Sequence, residues 1–193
     1  MRTNFARWAG WWMSFALAVA LGSGVVGAAT TPAAGLDFGA IGLTRAQFEA
    51  AYGAPTKTAT VPGPTSDETY AYGTQAGMIY ATYRDLNGEQ VAVAVEFAWG
   101  GNGVTETAAA KTMDALLPTD AKLTERYVLP ATPDGPITLV AFRYTSAALT
   151  GASGGVLAPE MLAIQHETWD ASAGAMKVTR ISLALRDRTQ LTS

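Results

Sequence analysis

The stretch GMIYATYRDLNGEQVAVAVEFAW, residues 77–99, decides the fold. Two segments rich in aromatic and β-branched residues flank Asn87-Gly88, and such residues are typical of β-strands. An Asn-Gly pair favours a tight type I′ turn, because both central residues of that turn need positive φ. The sequence therefore predicts an antiparallel hairpin with strands at 77–86 and 89–99.

The same turn predicts which side chains of the hairpin share a face. If Leu86 lies opposite Glu89, uniform pairing places Tyr80 opposite Val95, and the two faces alternate from there. The face predicted to form the core carries Val91, Val93, Val95, Phe97 and Trp99. The other face carries Ile79, Ala81, Tyr83, Ala92, Ala94 and Glu96. Because that second face has a single charge, we expect either the rest of the chain or a partner to cover it.

A short helix is predicted before the hairpin, at 45–52. Thr44 and Gln47 have the spacing of a capping box, and Gly53 fits the left-handed position just after the helix end. Between this helix and the hairpin we predict a loop at 57–66 and a strand at 68–73.

The glycine-rich segment at 99–103 is the predicted boundary between two halves of the chain. A second helix, at about 106–117, follows it with Thr105 as its cap. Four strands are predicted next, at 123–129, 137–144, 161–169 and 176–185, with a mobile loop at 150–155. The fold class is therefore α+β, with two helix-plus-antiparallel-sheet halves in the order helix, three strands, helix, four strands. The halves span 36–103 and 104–193 and are expected to form one compact unit.

The N-terminal segment predicts export from the cytoplasm. Arg2 and Arg7 are the only charged residues before Asp37, and a short apolar run at 11–21 separates them from a small-residue end. This pattern is typical of a secretory signal peptide at 1–29, followed by a flexible leader at 30–35. The alternative is an uncleaved membrane anchor, since 8–29 is long enough to span a bilayer. We expect a secreted or extracytoplasmic protein, in the periplasm, in the cell wall or at the cell surface.

Composition excludes several classes of site. The 193 residues contain no cysteine, which rules out disulfide scaffolds, thiol catalysis and cysteine-ligated metals. They contain one histidine, which excludes any site that needs two. Thirteen Lys and Arg against 16 Asp and Glu give a net charge of −3. No nucleic-acid partner is expected, because the chain lacks a basic excess.

The residues Gly42-Leu43-Thr44-Arg45-Ala46-Gln47-Phe48, the Gly53-Ala54-Pro55-Thr56 exit and the Tyr70-Ala71-Tyr72 strand resemble the opening of the small outer-membrane lipoprotein (SmpA/OmlA) domain. A tandem copy of this helix-plus-sheet unit is similar to the β-lactamase inhibitory proteins. The resemblance implies an α+β unit whose open sheet face binds other proteins. Since the lipid-bearing cysteine of that family is absent, the lipoprotein role is not carried over.

Candidate chemistry is sparse. His166 could act as a base with Glu167, but neighbouring strand residues point to opposite faces, so a structural or surface histidine is favoured. No catalytic residue, metal site or cofactor is predicted. The candidate binding residues are Ile79, Tyr83, Glu96 and Trp169. We expect an exported, non-enzymatic binding module of the cell envelope or medium, including an inhibitor-like one. Its partner would be a protein or an envelope component, and a membrane only if the N-terminal segment is uncleaved. The alternative is a small secreted hydrolase that uses dispersed carboxylates.

Overall fold

A computed structural model describes residues 39–60, 67–129, 137–152 and 157–187 of the chain. Within these ranges the fold is α+β and consists mostly of antiparallel sheet, as the sequence predicts. The helices are α1 (Arg45–Tyr52), α2 (Glu106–Leu116) and α3 (Ala147–Ala152). The strands are β1 (Lys57–Thr60), β2 (Glu68–Gly73), β3 (Gly77–Leu86), β4 (Glu89–Trp99), β5 (Lys122–Leu129), β6 (Ile137–Thr145), β7 (Leu157–Asp170) and β8 (Ala175–Asp187). The predicted signal peptide and leader lie outside the described residues.

All eight strands belong to one sheet in the order β1-β2-β3-β4-β8-β7-β6-β5. Strands β4 and β8 are central neighbours, and every pair of adjacent strands is antiparallel. The sheet therefore runs through both predicted halves, and the glycine-rich segment at 99–103 connects β4 to α2.

Helix α1 begins and ends as its sequence predicts. The Thr44 side chain accepts from the Gln47 backbone N–H, and the Gln47 side chain accepts from the Thr44 backbone N–H at 2.9 Å. Gly53 has φ 84° and its N–H donates to the Glu49 carbonyl. These bonds satisfy backbone groups that a short helix would otherwise leave unpaired.

Two predicted loops are corrected by the structure. The predicted loop at 57–66 contains strand β1, whose Lys57 pairs with Ala71 at the edge of the sheet. The predicted mobile loop at 150–155 overlaps helix α3, where Asp120 accepts hydrogen bonds from the backbone N–H groups of Ala147 and Ala148. Both corrections have the same cause: partners distant in the sequence stabilise segments with weak local preference.

The turn of the β3–β4 hairpin confirms the Asn-Gly prediction. Asn87 has φ 58° and Gly88 has φ 88°, as a type I′ turn requires. Leu86 pairs with Glu89 next to the turn. The predicted register therefore holds where the turn alone determines it.

A β-bulge changes the register farther from the turn. Tyr83 pairs with Ala92, but its neighbour Thr82 pairs with Ala94, so Val93 is an extra residue on β4. A bulge of this kind places two residues of one strand opposite one residue of its partner. It shifts every later pair by one position.

The predicted division of the hairpin into two faces is therefore wrong beyond the bulge. Tyr80 pairs with Glu96 instead of Val95, and Ile79 pairs with Phe97. As a result Ile79 shares a face with Val95 and Phe97. The extra residue lies inside a uniform run of alternating small and branched residues, so local sequence carries no signal for it.

One side of the sheet, the helix-covered face, packs against all three helices. Phe48 of α1, Met113 of α2 and Leu149 of α3 belong to a single buried cluster with the strands. The strand members of this cluster are Tyr70, Tyr72, Ile79, Ala81, Tyr83, Ala92, Val95, Phe97, Tyr144, Met161, Ala163, Val178, Ile181 and Leu183. Among the described residues, no helix is long and apolar enough to cross a membrane.

Candidate functional site on the helix-free face of the sheet

The residues that alternate with the core define a second side of the sheet, the helix-free face. No helix in the described part of the chain packs on it. Strand pairing arranges its central side chains in three rows. The middle row is Tyr80, Glu96, Ser182 and Ile164. The row toward one end of the strands is Thr82, Ala94, Ala184 and Leu162. The row toward the other end is Met78, Ala98, Arg180 and His166.

Small side chains occupy most of the two central strands of this face. Strand β4 contributes Ala94 and Ala98, and β8 contributes Ser182 and Ala184. The strands on either side, β3 and β7, carry larger side chains, among them Tyr80. The centre of the face, called here the low centre because most of its side chains are short, is therefore bordered by aromatic and aliphatic side chains of β3 and β7.

A ring of polar side chains lies in this low centre. The Ser182 hydroxyl is fully buried and donates to Glu96 Oε2 at 3.0 Å. The His166 Nε2 atom lies 3.5 Å from the same hydroxyl. Arg180 closes the ring, with one guanidinium nitrogen 3.2 Å from His166 Nδ1 and another 3.6 Å from Glu96 Oε1.

The hydrogen-bond directions around the ring follow from Arg180. A guanidinium can only donate, so His166 Nδ1 accepts and the neutral imidazole carries its proton on Nε2. Burial and the nearby Arg180 charge lower the pKa of His166 to about 3, which keeps the ring neutral. The Nε2 proton points to Ser182, whose own proton goes to Glu96.

This geometry differs from that of a nucleophilic serine. A histidine activates a serine only when the nitrogen that faces the hydroxyl is free to accept its proton. In the ring, the facing nitrogen of His166 carries a proton, and the Ser182 hydroxyl has no exposed surface. The ring can hold its members in place and present Glu96 and Arg180 at the surface of the face.

Glu96 remains partly accessible at the centre of the face. Burial raises the pKa of Glu96, while Arg180 and the Ser182 hydroxyl act in the opposite direction. Burial and the Glu96 charge also raise the pKa of the neighbouring Tyr80 hydroxyl. The carboxylate and the aromatic ring are directly cross-strand, so one binding partner could contact both.

Three arginines on the helix-free face are each paired with a carboxylate. Arg84 contacts Asp67 at 2.8 Å, Arg143 contacts Glu125 at 2.9 Å, and Arg180 contacts Glu96 at 3.6 Å. Charges of both signs are therefore present on the face and lie next to each other.

The four predicted binding residues do not form one site. Tyr83 and Ile79 are 1% exposed and lie on the helix-covered face, where Tyr83 packs edge-on against Phe48. Of the two alternatives for that predicted surface, the structure shows packing by the rest of the chain at these two residues. Glu96 lies on the helix-free face. Trp169 is 53% exposed near the end of β7 and shares its side of the sheet with the buried Glu167.

His166 and Glu167 are separated as the strand alternation predicts. His166 pairs with Arg180 on the helix-free face, whereas Glu167 pairs with the core residue Val178. Sequence reasoning did not identify Ser182 or Arg180 as site residues. Their alternation with Ile181 and Leu183 in a predicted strand placed them on one face, but pairing of β8 with β4 was not evident from the sequence.

The described residues contain no group of three His, Asp or Glu side chains arranged to hold a metal ion. A comparison of the chain with protein-family models, curated proteins and solved structures finds no match. The family resemblance of the first helix and strand remains an expectation from the sequence, and the site is interpreted from its own geometry.

Proposed function

We propose that the protein is an exported, non-enzymatic binding module of the cell envelope or medium, and that it binds protein through the helix-free face. The observation that carries the proposal is the placement of α1, α2 and α3 on one side of an eight-stranded sheet. Antiparallel sheets often leave one face to water, but such a face then usually alternates with strongly polar residues. Here seven of the twelve side chains in the three central rows are apolar or aromatic.

Half-buried apolar and aromatic side chains support a recognition role. Met78, Tyr80 and Leu162 border the low centre and retain accessible surface. Aromatic residues and methionine are enriched at protein interfaces, and contiguous apolar surface commonly marks an interaction site. Glu96 and Arg180 add directional groups in the middle of this surface.

A binding role fits the polar ring better than a hydrolytic one. The Ser182 proton goes to Glu96, and His166 is in the tautomer that cannot accept it. With both groups engaged, the ring supports positioning of Glu96 and Arg180 for contact with a partner.

The strand order also supports the proposal that the sheet is built from two halves. Strands β1 to β4 form one meander and β5 to β8 form another, and the last strands of both are neighbours. Helices α1 and α2 each precede one meander. Under this proposal, the helix-free face combines equivalent surfaces of both halves.

Export rests on the sequence pattern of residues 1–29. Expression of the full chain in a secreting host, followed by mass spectrometry of the product, tests it. A new N-terminus near Ala28 or Ala29 outside the cytoplasm is expected. A full-length cytoplasmic product would contradict export.

Capture from the native cell envelope and culture fluid tests the binding proposal. The purified wild-type chain is compared with Ala94→Arg, which places a charge on the helix-free face, and with Ala50→Arg on the exposed side of α1. We expect wild type and Ala50→Arg to retain a protein that binds again when purified, and Ala94→Arg to lose it. Equal capture by all three, or no capture, would contradict the proposal.

A further inference from the structure

We infer that the protein has a second binding site, for a neutral carbohydrate, on the helix-covered side of the sheet near the end of β7. Gln165, Glu167 and Trp169 form the centre of this site. The site lies on the opposite side of the sheet from the helix-free face, so the inference goes beyond the proposed function and does not depend on it. Three observations carry it: buried polar groups without partners, an exposed indole beside them, and the charges around them.

Gln165 and Glu167 are buried polar side chains without hydrogen-bond partners. Each is 5% exposed, and both lie on the same side of β7 as the core residue Ala163, because they alternate with it along the strand. Within the described ranges, neither side chain makes a hydrogen bond or an ion pair. Buried polar groups in folded proteins nearly always have a partner, so two such exceptions side by side indicate a place for a bound polar ligand.

Thr138 adds a third polar group to the same place. It is half-buried and directly cross-strand from Glu167. Its hydroxyl, like the two polar side chains on β7, makes no hydrogen bond to another described residue. The polar ring of the helix-free face is different, because there each member contacts the next. These three polar groups of the second site are therefore available to a ligand.

Trp169 places a large aromatic surface next to the polar groups. It is 53% exposed and lies two residues beyond Glu167 on the same side of β7, about 6.8 Å along the strand. A ligand that contacts both needs an apolar surface and polar groups within one small ring. A sugar ring has C–H groups on its faces and hydroxyls at its edge. Because hydroxyls both donate and accept, they match a carboxylate and an amide together.

The charges around Glu167 favour a neutral ligand. Burial and the charge of Glu106, in the first turn of α2, raise the pKa of Glu167, whereas the charge of Arg126 lowers it. A cationic ligand would be repelled by Arg126, and an anionic ligand by Glu106 and Glu167. An uncharged polyhydroxylated ring avoids both repulsions and still contacts charged groups through its hydroxyls.

A glycan array tests the site. The array carries neutral and charged glycans, both as polysaccharides and linked to protein, so that it also identifies the source of the sugar. We expect wild type to bind neutral glycans that share one sugar, and Trp169→Ala to lose this binding. Leu123→Ala is the matched control, because Leu123 is also 53% exposed on the same side of the sheet. Circular dichroism checks that both variants are folded.

Three results of the array would overturn the inference. They are the absence of glycan binding by wild type, equal binding by Trp169→Ala, and binding of charged glycans alone. Ala94→Arg, on the helix-free face, should bind glycans as wild type does. The outcome of the array is thereby independent of the outcome of protein capture.

Gln165→Met tests the missing hydrogen-bond partner directly. Methionine has a similar length and shape but no amide, so the substitution removes an unpartnered buried polar group. We expect the midpoint of thermal unfolding to rise, while the affinity for the glycan found on the array falls by about tenfold in calorimetric titration. A lower midpoint would mean that the amide has a partner within the protein, and an unchanged affinity would mean that it does not contact the sugar. Either result overturns the inference.

Discussion

The two faces of the sheet bury their side chains by different means. On the helix-covered face, the hydroxyls of Tyr72 and Tyr83 form a hydrogen bond of 3.0 Å. Both tyrosine rings also contact the ring of Phe48 on α1. On the helix-free face, Ser182 is equally inaccessible, yet strand neighbours within the sheet and a ring of charged and polar groups cover it.

This difference separates stability from recognition. Aromatic packing against a helix removes large apolar areas from water and stabilises the folded state. Removing the polar groups of the ring from water costs free energy, and their mutual hydrogen bonds offset that cost. The net contribution of the ring to stability is therefore small. Its specific directions can instead select a partner.

The largest expected effect compares one tyrosine from each face. Tyr83→Ala should lower the free energy of unfolding by about 4 kcal/mol, because it leaves a cavity beside Phe48. Tyr80→Ala, on the helix-free face, should lower the free energy of unfolding by about 1 kcal/mol, because the Tyr80 side chain is only half-buried. Urea denaturation of both variants measures the difference.

Tyr83→Phe is the control for the cavity. It keeps the ring and removes only the hydrogen bond to Tyr72, so a loss of about 1 kcal/mol is expected. Equal losses for Tyr83→Ala and Tyr80→Ala would mean that the two faces contribute alike to stability.

Acid should destabilise the protein through the polar ring. The pKa of His166 is about 3 in the folded chain and about 6.5 in the unfolded one, so only the unfolded chain takes up this proton between those values. Stability should therefore fall as pH drops from about 6.5 toward 3, by up to about 1.4 kcal/mol per pH unit from this group. His166→Gln should flatten that dependence in denaturation measured at several pH values.

The pKa shift of Glu96 has the opposite effect on acid stability to that of His166, so Glu96→Gln is the matched comparison for His166→Gln. Burial raises its pKa in the folded chain, so the folded state takes up the proton first as pH falls, and acid relieves its cost. Glu96→Gln should therefore make the acid loss steeper than in wild type. If both variants follow the wild-type profile, the ring does not control acid stability.

The smallest expected effect concerns the Asn87-Gly88 turn, which sets the register of the β3–β4 hairpin on the turn side of the bulge. Gly88 has φ 88°, and a Cβ atom added there would meet open space, so Gly88→Ala costs only backbone strain, about 1 kcal/mol. Gly100→Ala also meets open space but has no positive φ, so thermal unfolding should barely change. A similar loss for both would show that the turn conformation contributes nothing.

The sequence anticipates most elements of the fold, but only part of the site. The Thr44–Gln47 capping box and the Asn87-Gly88 turn are local, and both have the expected geometry. Glu96 belongs to the site, whereas Tyr83 lies in the core. Tyr83 pairs with Ala92 as the turn predicts, but the extra residue at Val93 moves Val95 and Phe97 to the face of Tyr83 and Glu96 to the opposite face.

Local sequence by itself determined the bounds of α1 and of the β3–β4 hairpin, because caps and turns act over a few residues. Only the tertiary structure decided that β4 pairs with β8, that the bulge lies at Val93, and that β1 joins the sheet edge. Of these features, the pairing of β4 with β8 joins segments far apart in the chain. The same long-range pairing brings Glu96, His166, Arg180 and Ser182 together, since no short motif contains all four.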